Sequence, residues 1–431
     1  MLKKMGLLLG CVLLLLVSWM TVLTMQSPME KQVELIALAD AEIEKGLYAN
    51  AEPYLLDAAA YNTDYTQLVM ERLKIVYMSL SSPQDYAGVL KKQTARTDCP
   101  APAYGEYARY MIGQDDLEEA LVMLKLGIER TGDPSLVDIY EEERYAFTFN
   151  RGDPYEDVTT YHSNGIQVKT DGLWGLANTS GKILIPCEYK ELSTYDAANR
   201  GCVIARRPDE SIVAVNLKNY IVAKTDLTAV KIGNFSQDIV SLQLQNGNWV
   251  LANSKLISNN SEFEDVGTCF NSAIAAKSGE KWGVIATDGE FVLPYEYDAV
   301  MMDELGRCYA QNAVFAKSGA VVHLFVDGER QADAYEDARP FTNDGWAAVK
   351  KNGKWGFIDT AGQFMIEPRF DDALSFSGNL AAVKQGELWG YAALNGKTVI
   401  EPQFLDAKSF TAGYAPVLME DGYRFLALVE R

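Results

Sequence analysis

The pattern of apolar and polar residues divides the chain into three parts. Residues 5–25 carry no charged side chain and are rich in leucine, which is the length and character of a bilayer-spanning helix. From residue 32 to residue 144, apolar positions recur at three- and four-residue steps, which predicts amphipathic helices. After residue 144 short apolar runs are separated by glycine, which predicts β-strands. The predicted domains are residues 1–28, 29–145 and 146–431.

The first part is predicted to be an uncleaved membrane anchor. Lys3 and Lys4 precede the apolar run, so the short N-terminus should stay in the cytoplasm and the rest of the chain should lie outside. A cleaved signal peptide is one alternative, but the run is long and no Ala-x-Ala site follows it. A lipoprotein attached through Cys11 is another, but apolar residues continue well beyond Cys11. The predicted location is therefore the cell membrane, as a single-pass protein.

The helical part contains a repeated pattern of small and large apolar residues. Ala51 and Ala120 are equivalent and stand 69 residues apart, close to two units of about 34 residues. This region, residues 34–136, resembles the tetratricopeptide repeat, although Gly127 stands where that family has alanine. The resemblance implies a groove that binds a peptide or protein, and a helical spacer is the alternative interpretation. The signature positions are Gly46, Tyr48, Ala51, Leu55 and Ala58.

The β-rich part contains eight copies of one unit. The first marker is a tryptophan, usually followed by glycine, near the middle of each unit. The second is an aromatic residue, usually followed by an acidic one, and these markers are spaced 34 to 38 residues apart. The second markers are Tyr155, Tyr189, Leu227, Phe263, Tyr297, Tyr335, Phe370 and Phe404.

These markers resemble the WG-repeat family, also called KWG repeats, over residues 150–431. Two turn signals in each unit, such as Asn352-Gly353 and Asn395-Gly396, predict three-stranded meanders. One meander cannot bury itself, so neighbours must stack as a propeller-like ring of about seven or eight blades or as an open β-solenoid. The ring is favoured because residues 145–149 form an extra strand, while the last copy lacks a third strand.

The repeated residues are interpreted as structural. Tryptophan should pack in the core, and the following glycine should allow a close approach of backbone. The repeated carboxylates are interpreted as caps of backbone amides. The first group comprises Trp174, Gly175, Trp249, Trp282, Gly283, Trp355, Gly356, Trp389 and Gly390. The second comprises Asp157, Glu191, Asp265, Asp298, Asp337, Asp372 and Asp406.

Charge and composition exclude several functions. A net charge of −20 disfavours nucleic acid as a partner, because phosphate contacts need clustered lysine and arginine. The chain has two histidines, His162 and His323, which leaves little for zinc or nucleophilic chemistry. We therefore predict no catalytic residue, cofactor or metal. The cysteines after Cys11 are interpreted as buried side chains, with a bridge between Cys187 and Cys202 as the alternative.

The resulting hypothesis is a non-enzymatic scaffold at the cell surface that binds a protein or peptide through the helical groove or a ring face. The alternative is a lectin that binds carbohydrate or cell wall through aromatic residues outside the repeat register: Trp346, Tyr414 and Tyr309. A propeller glycoside hydrolase is disfavoured. The repeat carboxylates are equivalent, whereas acid and base roles require two unlike environments.

Overall fold

The computed structural model describes residues 27–149, 152–161, 163, 165–179, 181–194 and 201–430. They form two compact units, one helical and one built of strands, and the boundary along the chain lies between Arg144 and Tyr145. Within the described ranges, no helix has the length and apolarity needed to cross a membrane. The predicted anchor at residues 5–25 lies outside these ranges, as does His162.

The helical unit contains seven α-helices in its described part, and each packs against the next along the chain. The first begins with a capping box, in which Ser27 and Glu30 satisfy each other's backbone amides. Asp116 and Asp133 cap the N-termini of the last two helices of this unit. The helices are α1 (Pro28–Ile43), α2 (Tyr48–Ala58), α3 (Thr66–Ser79), α4 (Pro83–Thr94), α5 (Ala101–Gly113), α6 (Leu117–Thr131) and α7 (Pro134–Glu143).

Small residues allow the helices to approach closely. Ala51 and Ala58 of α2 are fully buried, and the buried side chain of Gln32 donates Nε2–H bonds of 2.9 Å to the carbonyls of Ala58 and Tyr61. The first helices are thereby tied together by packing and by a satisfied buried amide. A helical region is confirmed; its tetratricopeptide character stays a prediction.

Gly127 gives a test of this packing. A Cβ atom at this position in α6 would lie 2.7 Å from Cγ of Tyr104 and 2.8 Å from Cδ1 of Leu136. We expect Gly127→Ala to lower the free energy of unfolding by about 1–2 kcal/mol, because overpacking outweighs the gain in helix propensity. Gly88→Ala in α4 is the matched control, since its Cβ would meet nothing within 4 Å. Thermal unfolding followed by circular dichroism at 222 nm measures both; equal behaviour of the two variants would contradict the prediction.

The second unit is an eight-bladed β-propeller. Each blade is a four-stranded antiparallel sheet, and we call its first strand inner and its fourth strand outer. Blade 1 contains β2 (Asp157–Val158), β3 (Gly165–Thr170), β4 (Leu173–Asn178) and β5 (Ile183–Tyr189). Blade 2 contains β6 (Glu191–Leu192), β7 (Cys202–Arg206), β8 (Ile212–Asn216) and β9 (Ile221–Lys224). Blade 3 contains β10 (Ala229–Ser236), β11 (Ile239–Leu244), β12 (Trp249–Ala252) and β13 (Ser258–Phe263). Blade 4 contains β14 (Asp265–Val266), β15 (Ala273–Ser278), β16 (Lys281–Ala286) and β17 (Phe291–Tyr297).

The remaining blades follow in chain order. Blade 5 contains β18 (Ala299–Val300), β19 (Ala313–Ser318), β20 (Val321–Val326) and β21 (Glu329–Tyr335). Blade 6 contains β22 (Asp337–Ala338), β23 (Ala347–Lys351), β24 (Lys354–Ile358) and β25 (Phe364–Phe370). Blade 7 contains β26 (Asp372–Ala373), β27 (Leu380–Gln385), β28 (Leu388–Ala393) and β29 (Thr398–Phe404). Blade 8 contains β30 (Asp406–Ala407), β31 (Tyr414–Met419), β32 (Gly422–Glu430) and β1 (Tyr145–Phe149).

Blade 8 closes the ring with strands from both ends of the unit. Strand β1 pairs antiparallel with β32, so that Phe147 faces Leu428 and Phe149 faces Leu426. The predicted completion of one terminus by the other is therefore confirmed. The pairing covers one edge of β32 and one edge of β1, and an open solenoid would have to protect both of these edges in another way.

The prediction of three strands in each blade was wrong. The aromatic–acidic marker was interpreted as a turn, but it leads into a two-residue inner strand in seven blades, as at Asp372 and Ala373. Asp372 pairs with Lys384 and Ala373 pairs with Val383 of the second strand. Such a strand is too short to show an alternating pattern, which is why the sequence pattern did not reveal it.

In the third strand, tryptophan and glycine have different roles. Trp355 is 3% exposed, pairs with Phe370 of the outer strand and lies under the guanidinium of Arg339, 4.9 Å from the ring centre. A Cβ atom on Gly356 would lie 2.6 Å from the carbonyl oxygen of Ile366 and 2.7 Å from the nitrogen of Pro368. The glycine therefore accommodates a bulge of the outer strand that contains proline.

This glycine and this proline occur together. The four blades with glycine after tryptophan (1, 4, 6 and 7) have proline in the outer strand, and the four other blades have neither at these positions. The glycine–proline pairs are Gly175 with Pro186, Gly283 with Pro294, Gly356 with Pro368 and Gly390 with Pro402.

Five of the seven repeated carboxylates divide into two sets, while Glu191 and Asp406 accept hydrogen bonds from the side chains of Arg206 and Tyr423 instead. Asp157, Asp265, Asp337 and Asp372 each accept a hydrogen bond from the next backbone amide, at 2.8–2.9 Å. Asp298 belongs to the other set, which stands one residue earlier in the repeat and accepts bonds from the hairpin between the second and third strands. In blade 5 this bond is 2.7 Å long, from the amide of Gly319. The other members of that set are Glu156, Glu264, Glu336 and Asp371.

None of the five cysteines of the described ranges forms a disulfide, so the alternative of a bridge between Cys187 and Cys202 was wrong. Cys202, Cys269 and Cys308 are buried. Burial raises the pKa of Cys269 to about 11, so this thiol stays protonated and unreactive at neutral pH.

Candidate functional site

The residues that follow the inner strands converge on a central channel. A cavity of about 370 Å³ lies there, and its wall comes from blades 1, 4, 5, 6, 7 and 8. Tyr161, Phe341 and Phe410 contribute aromatic surface, while Thr160 and Ser375 contribute hydroxyl groups. A site assembled from so many repeats exists only when the ring is closed.

One loop crosses this channel. We call residues 301–312, between β18 and β19 of blade 5, the channel loop. It has twelve residues, whereas the corresponding connections in blades 7 and 8 have six, residues 374–379 and 408–413. The six additional residues are an insertion that extends into the channel.

The channel loop is held in shape by its own side chains. Oδ1 of Asp303 accepts hydrogen bonds of 2.9 Å from the amides of Leu305 and Arg307. Oδ2 of Asp303 accepts a bond of 2.6 Å from Nε of Arg307, and the Arg307 guanidinium lies 5.0 Å from the ring centre of Phe270. These contacts make a compact turn whose tip consists of Glu304 and Leu305.

The tip connects distant blades. Thr160 of blade 1 donates a 2.7 Å hydrogen bond to Oε2 of Glu304, and Lys408 of blade 8 donates a 2.8 Å bond to Oε1. The carbonyl of Leu305 accepts bonds from Asn234 of blade 3 and Thr268 of blade 4, at 2.8 and 2.5 Å. The channel loop of blade 5 therefore joins four other blades across the ring.

Lys408 is the charged centre of these contacts. Its ammonium also lies 3.0 Å from Asp406, and its side chain is 15% exposed. Burial by itself would lower the pKa of Lys408, but the carboxylates of Glu304 and Asp406 outweigh burial and hold that pKa above its ordinary value. Lys408 therefore stays charged throughout the physiological range.

The channel loop separates a second cavity from the first. This cavity has a volume of about 480 Å³ and is lined by blades 1 to 4 and by the same loop residues, Met302 to Leu305. Trp174 and Trp249 contribute indole surface, and Glu191, Asp265 and Lys231 contribute charge. Within the described part of the chain, no three His, Cys, Asp or Glu side chains are placed to hold a metal ion.

The position after the paired inner-strand residues varies among the blades. Framework positions repeat, but this position carries hydroxyl, apolar, cationic and glycine residues, and five of the eight line one of the two cavities. In blade order the residues are Thr159, Ser193, Gly233 (within the longer strand β10), Gly267, Met301, Arg339, Leu374 and Lys408.

The three aromatic residues proposed as ligand contacts are not brought together. Tyr309 lines the first cavity. Trp346 packs edge-to-face on Phe376, with ring centres 5.2 Å apart, and Tyr414 of β31 lies 6.5 Å from the ring of Tyr161. Their role in binding stays a prediction. Glu304 and Lys408 were not selected from the sequence, although the spacing from Tyr297 to Tyr335 leaves room for the insertion.

His323 occupies the glycine position of blade 5, and it provides a pH test of the fold. Its side chain is buried, and Nδ1 has no hydrogen-bond partner among the described residues. Burial, together with the nearby charge of Arg330, lowers the pKa of His323. Folding therefore favours the neutral imidazole, so its contribution is complete above the unfolded-state pKa and is lost as the pH falls towards the folded-state pKa.

We expect the unfolding midpoint of the protein to fall more steeply between pH 7 and pH 5 than that of His323→Gln, which keeps a polar side chain without the titration. Urea unfolding at a series of pH values measures the difference between the two proteins. The pH dependence that comes from titrating carboxylates is the same in both proteins, so it cancels in this comparison. Parallel pH profiles would contradict the prediction.

A comparison with family models identifies the repeat of the second unit. The model of the WG-containing repeat matches residues 174–201, 282–306, 334–355, 355–389 and 389–423. The resemblance to WG repeats is thereby confirmed for the C-terminal region. No curated protein shows significant sequence similarity to the chain.

Solved structures match the chain at low sequence identity and with TM-scores below 0.5. BamB from Moraxella catarrhalis is 8% identical, with a TM-score of 0.42 over 65% of this chain and 98% of that one. PorZ of Porphyromonas gingivalis is 10% identical, with a TM-score of 0.34 over 63% and 42% of the two chains. The WD40 β-propeller domain of Doa1 is 12% identical, with a TM-score of 0.34 over 66% and 97%.

Proposed function

We propose that this chain is a non-enzymatic scaffold that is anchored in the membrane and binds protein partners outside the cytoplasm. One observation carries the proposal: the blades repeat their framework, yet the position after the paired inner-strand residues varies among them, and in five blades, for example at Thr159 and Arg339, it lines a cavity of the channel. A surface that is varied on a constant framework is suited to recognition. The closed ring makes it rigid, which lowers the entropic cost of binding.

The helical unit supports the same proposal. Several large apolar side chains are exposed on its helices, among them Val33, Leu38, Ile75 and Met78, the last 66% exposed. Exposed apolar residues on a soluble surface mark interaction sites when they lie close together. We propose that this unit contributes a second binding surface.

Photo-crosslinking in intact membranes tests the proposal. A photoreactive amino acid is placed at Asn343 or at Ala412, which are exposed and line the mouth of the first cavity, and at Glu387 as a control on an exposed hairpin tip. We expect one protein to be captured from both cavity positions and to be absent at Glu387. Capture of no common protein would overturn protein binding at the channel.

The membrane anchor has its own test. Residues 5–25 are proposed to remain in the bilayer, with the later residues outside the cytoplasm. Protease added to intact cells should remove a C-terminal epitope, while a cytoplasmic marker protein survives. Survival of the epitope, or its release into the medium without protease, would contradict the anchor.

Carbohydrate is the second candidate ligand, because Tyr309 lies in the first cavity beside hydroxyl and carboxylate side chains. Tyrosine rings stack on sugar faces, and such side chains bind sugar hydroxyls. A glycan array probed with the full chain and with Tyr309→Ala separates the candidates. Binding that disappears in the variant would favour the lectin.

A further inference from the structure

The outer strands of the propeller differ in how their free edges are protected. Outer strands leave one row of backbone amides and carbonyls unpaired, which invites pairing with another chain. Four of the outer strands, in blades 1, 4, 6 and 7, contain a proline within a bulge, and proline interrupts such pairing. These four prolines are Pro186, Pro294, Pro368 and Pro402.

Three other blades have different outer edges. The outer strand of blade 5, Glu329–Tyr335, is exposed along much of its length and carries three charged residues, while that of blade 3, Ser258–Phe263, is mostly polar. The outer strand of blade 8, Tyr145–Phe149, continues directly from the helical unit. Blade 2 has none of these features.

The outer strand of blade 2, Ile221–Lys224, is short and apolar. Tyr220, Ile221 and Val222 are consecutive and are 66%, 42% and 55% exposed. Ile221 pairs with Val215, and Val222 is the extra residue of a register shift, so this edge presents two adjacent apolar side chains to solvent. Among the described strands, β8 is its one neighbour, and the other edge is unpaired.

The sequence explains why this blade differs. Val213 stands where the glycine of a Trp-Gly pair would be, so blade 2 has no room for the proline bulge that the glycine accommodates. The outer strand of blade 2 has a register shift at Val222, between the pairs Ala214–Ala223 and Val215–Ile221, but no proline lies in it. Its backbone amides are therefore all able to donate. The loss of the repeat motif in blade 2 and the open edge are therefore one structural change.

We propose that the outer edge of blade 2 binds an extended apolar segment of a partner protein by β-strand addition, and that acidic residues flank this segment. The inference deepens the proposed protein-binding function and rests on it. Lys218 and Lys224 are exposed at the two ends of the strand and supply the complementary charge. Backbone hydrogen bonds give affinity in this mode, and alternate side chains give specificity.

A second copy of this chain is a poorer occupant. A four-residue edge buries a few hundred Å², whereas a stable protein interface needs roughly 1,200 Å² or more. A single extended segment does not need so large an area.

The experiment measures binding of a fluorescent peptide to the purified full chain in detergent by anisotropy. The probe is a peptide of roughly ten residues that alternates valine and threonine and has glutamates at both ends. Two control peptides differ from it in one respect each: one has lysines at the ends, and the other has N-methylated peptide bonds that cannot donate. We expect the control peptides to bind at least about tenfold more weakly, which is about 1.4 kcal/mol.

Variants of the chain locate the site. Ile221→Thr combined with Val222→Thr keeps β-branched side chains but removes apolar surface. We expect this double variant to bind the probe peptide about tenfold more weakly. Lys218→Glu combined with Lys224→Glu should abolish the preference for acidic ends. Phe291→Thr is the matched control, because Phe291 is 58% exposed on the outer strand of blade 4, whose edge is protected by proline. Binding of the probe should not change in this variant.

The outcomes separate this inference from the wider proposal. Absence of probe binding, equal binding of the N-methylated peptide, or an effect of Phe291→Thr as large as that of the double threonine variant overturns the edge site. If the double threonine variant still crosslinks the same protein through Asn343, the scaffold function stands even when the edge site fails. If no protein is crosslinked through Asn343 in the unmodified chain, the scaffold function itself is overturned.

Discussion

Gly356→Ala is expected to lower the free energy of unfolding of the propeller by about 3 kcal/mol. Its Cβ atom would meet backbone rather than a side-chain end: the Ile366 carbonyl oxygen at 2.6 Å, the Pro368 nitrogen at 2.7 Å and the Glu367 carbonyl carbon at 2.9 Å. Backbone in a paired strand cannot rotate away, so the outer strand must separate from the third strand. Urea unfolding followed by tryptophan fluorescence measures the loss.

Two controls show whether the cost comes from this contact. Gly88→Ala introduces the same methyl group in a helix where nothing lies within 4 Å, and it should not destabilise the protein. His323→Gly introduces glycine at the same repeat position in blade 5, whose outer strand has no proline. Because glycine has no bulge to accommodate there, we expect no gain in the free energy of unfolding. A loss below about 0.5 kcal/mol in Gly356→Ala would show that the outer strand shifts freely.

The repeat unit could be predicted from the sequence because its markers are required by packing. Tryptophan, glycine and the aromatic residue of the outer strand meet in the structure, as Trp355, Gly356 and Phe370 do, and residues that meet must recur together. Closure of the ring followed from the extra strand Tyr145–Phe149. The inner strand could not be found in this way, because two residues such as Asp372 and Ala373 have no period.

The channel could not be predicted for a different reason. Its contacts join residues far apart in the chain, such as Thr160 and Glu304, and no local pattern encodes a distance across the ring. The spacing of 38 residues between Tyr297 and Tyr335 leaves room for an insertion, but Tyr189 and Leu227 are equally far apart, and neither spacing indicates that a loop turns inward. The pairing of a proline bulge with glycine was equally hidden, although both residues were visible in the repeats.

The channel loop gives the second large prediction. Lys408→Met is expected to lower the free energy of unfolding by about 2 kcal/mol. Methionine fills a similar volume, but the carboxylates of Glu304 and Asp406 then face each other in a partly buried site without a cation. The full cost of breaking a buried ion pair is reduced here, because the Glu304 and Asp406 side chains are 42% and 29% exposed.

The pH dependence follows from the direction of the shift. Since the pKa of Lys408 is raised in the folded protein, its contribution is complete below the unfolded-state pKa of about 10.4 and is lost as the pH rises through the folded-state pKa. The difference between the protein and Lys408→Met should therefore be constant from pH 6 to pH 9. A difference that changes strongly within this interval would assign the effect to another group.

Lys351→Met is the matched control, because Lys351 pairs with Asp333 at 3.6 Å while both side chains are well exposed. Such a surface pair contributes about 0–1 kcal/mol. Hydrogen exchange of residues 301–312 gives the second measurement: these amides should exchange faster in Lys408→Met and remain protected in Lys351→Met. Since the loop separates the two cavities, faster exchange with an intact ring would show that Lys408 holds the loop in place. Equal losses of stability and unchanged exchange in both variants would show that the loop is held by its own Asp303 turn, and that its contact with blade 8 is incidental.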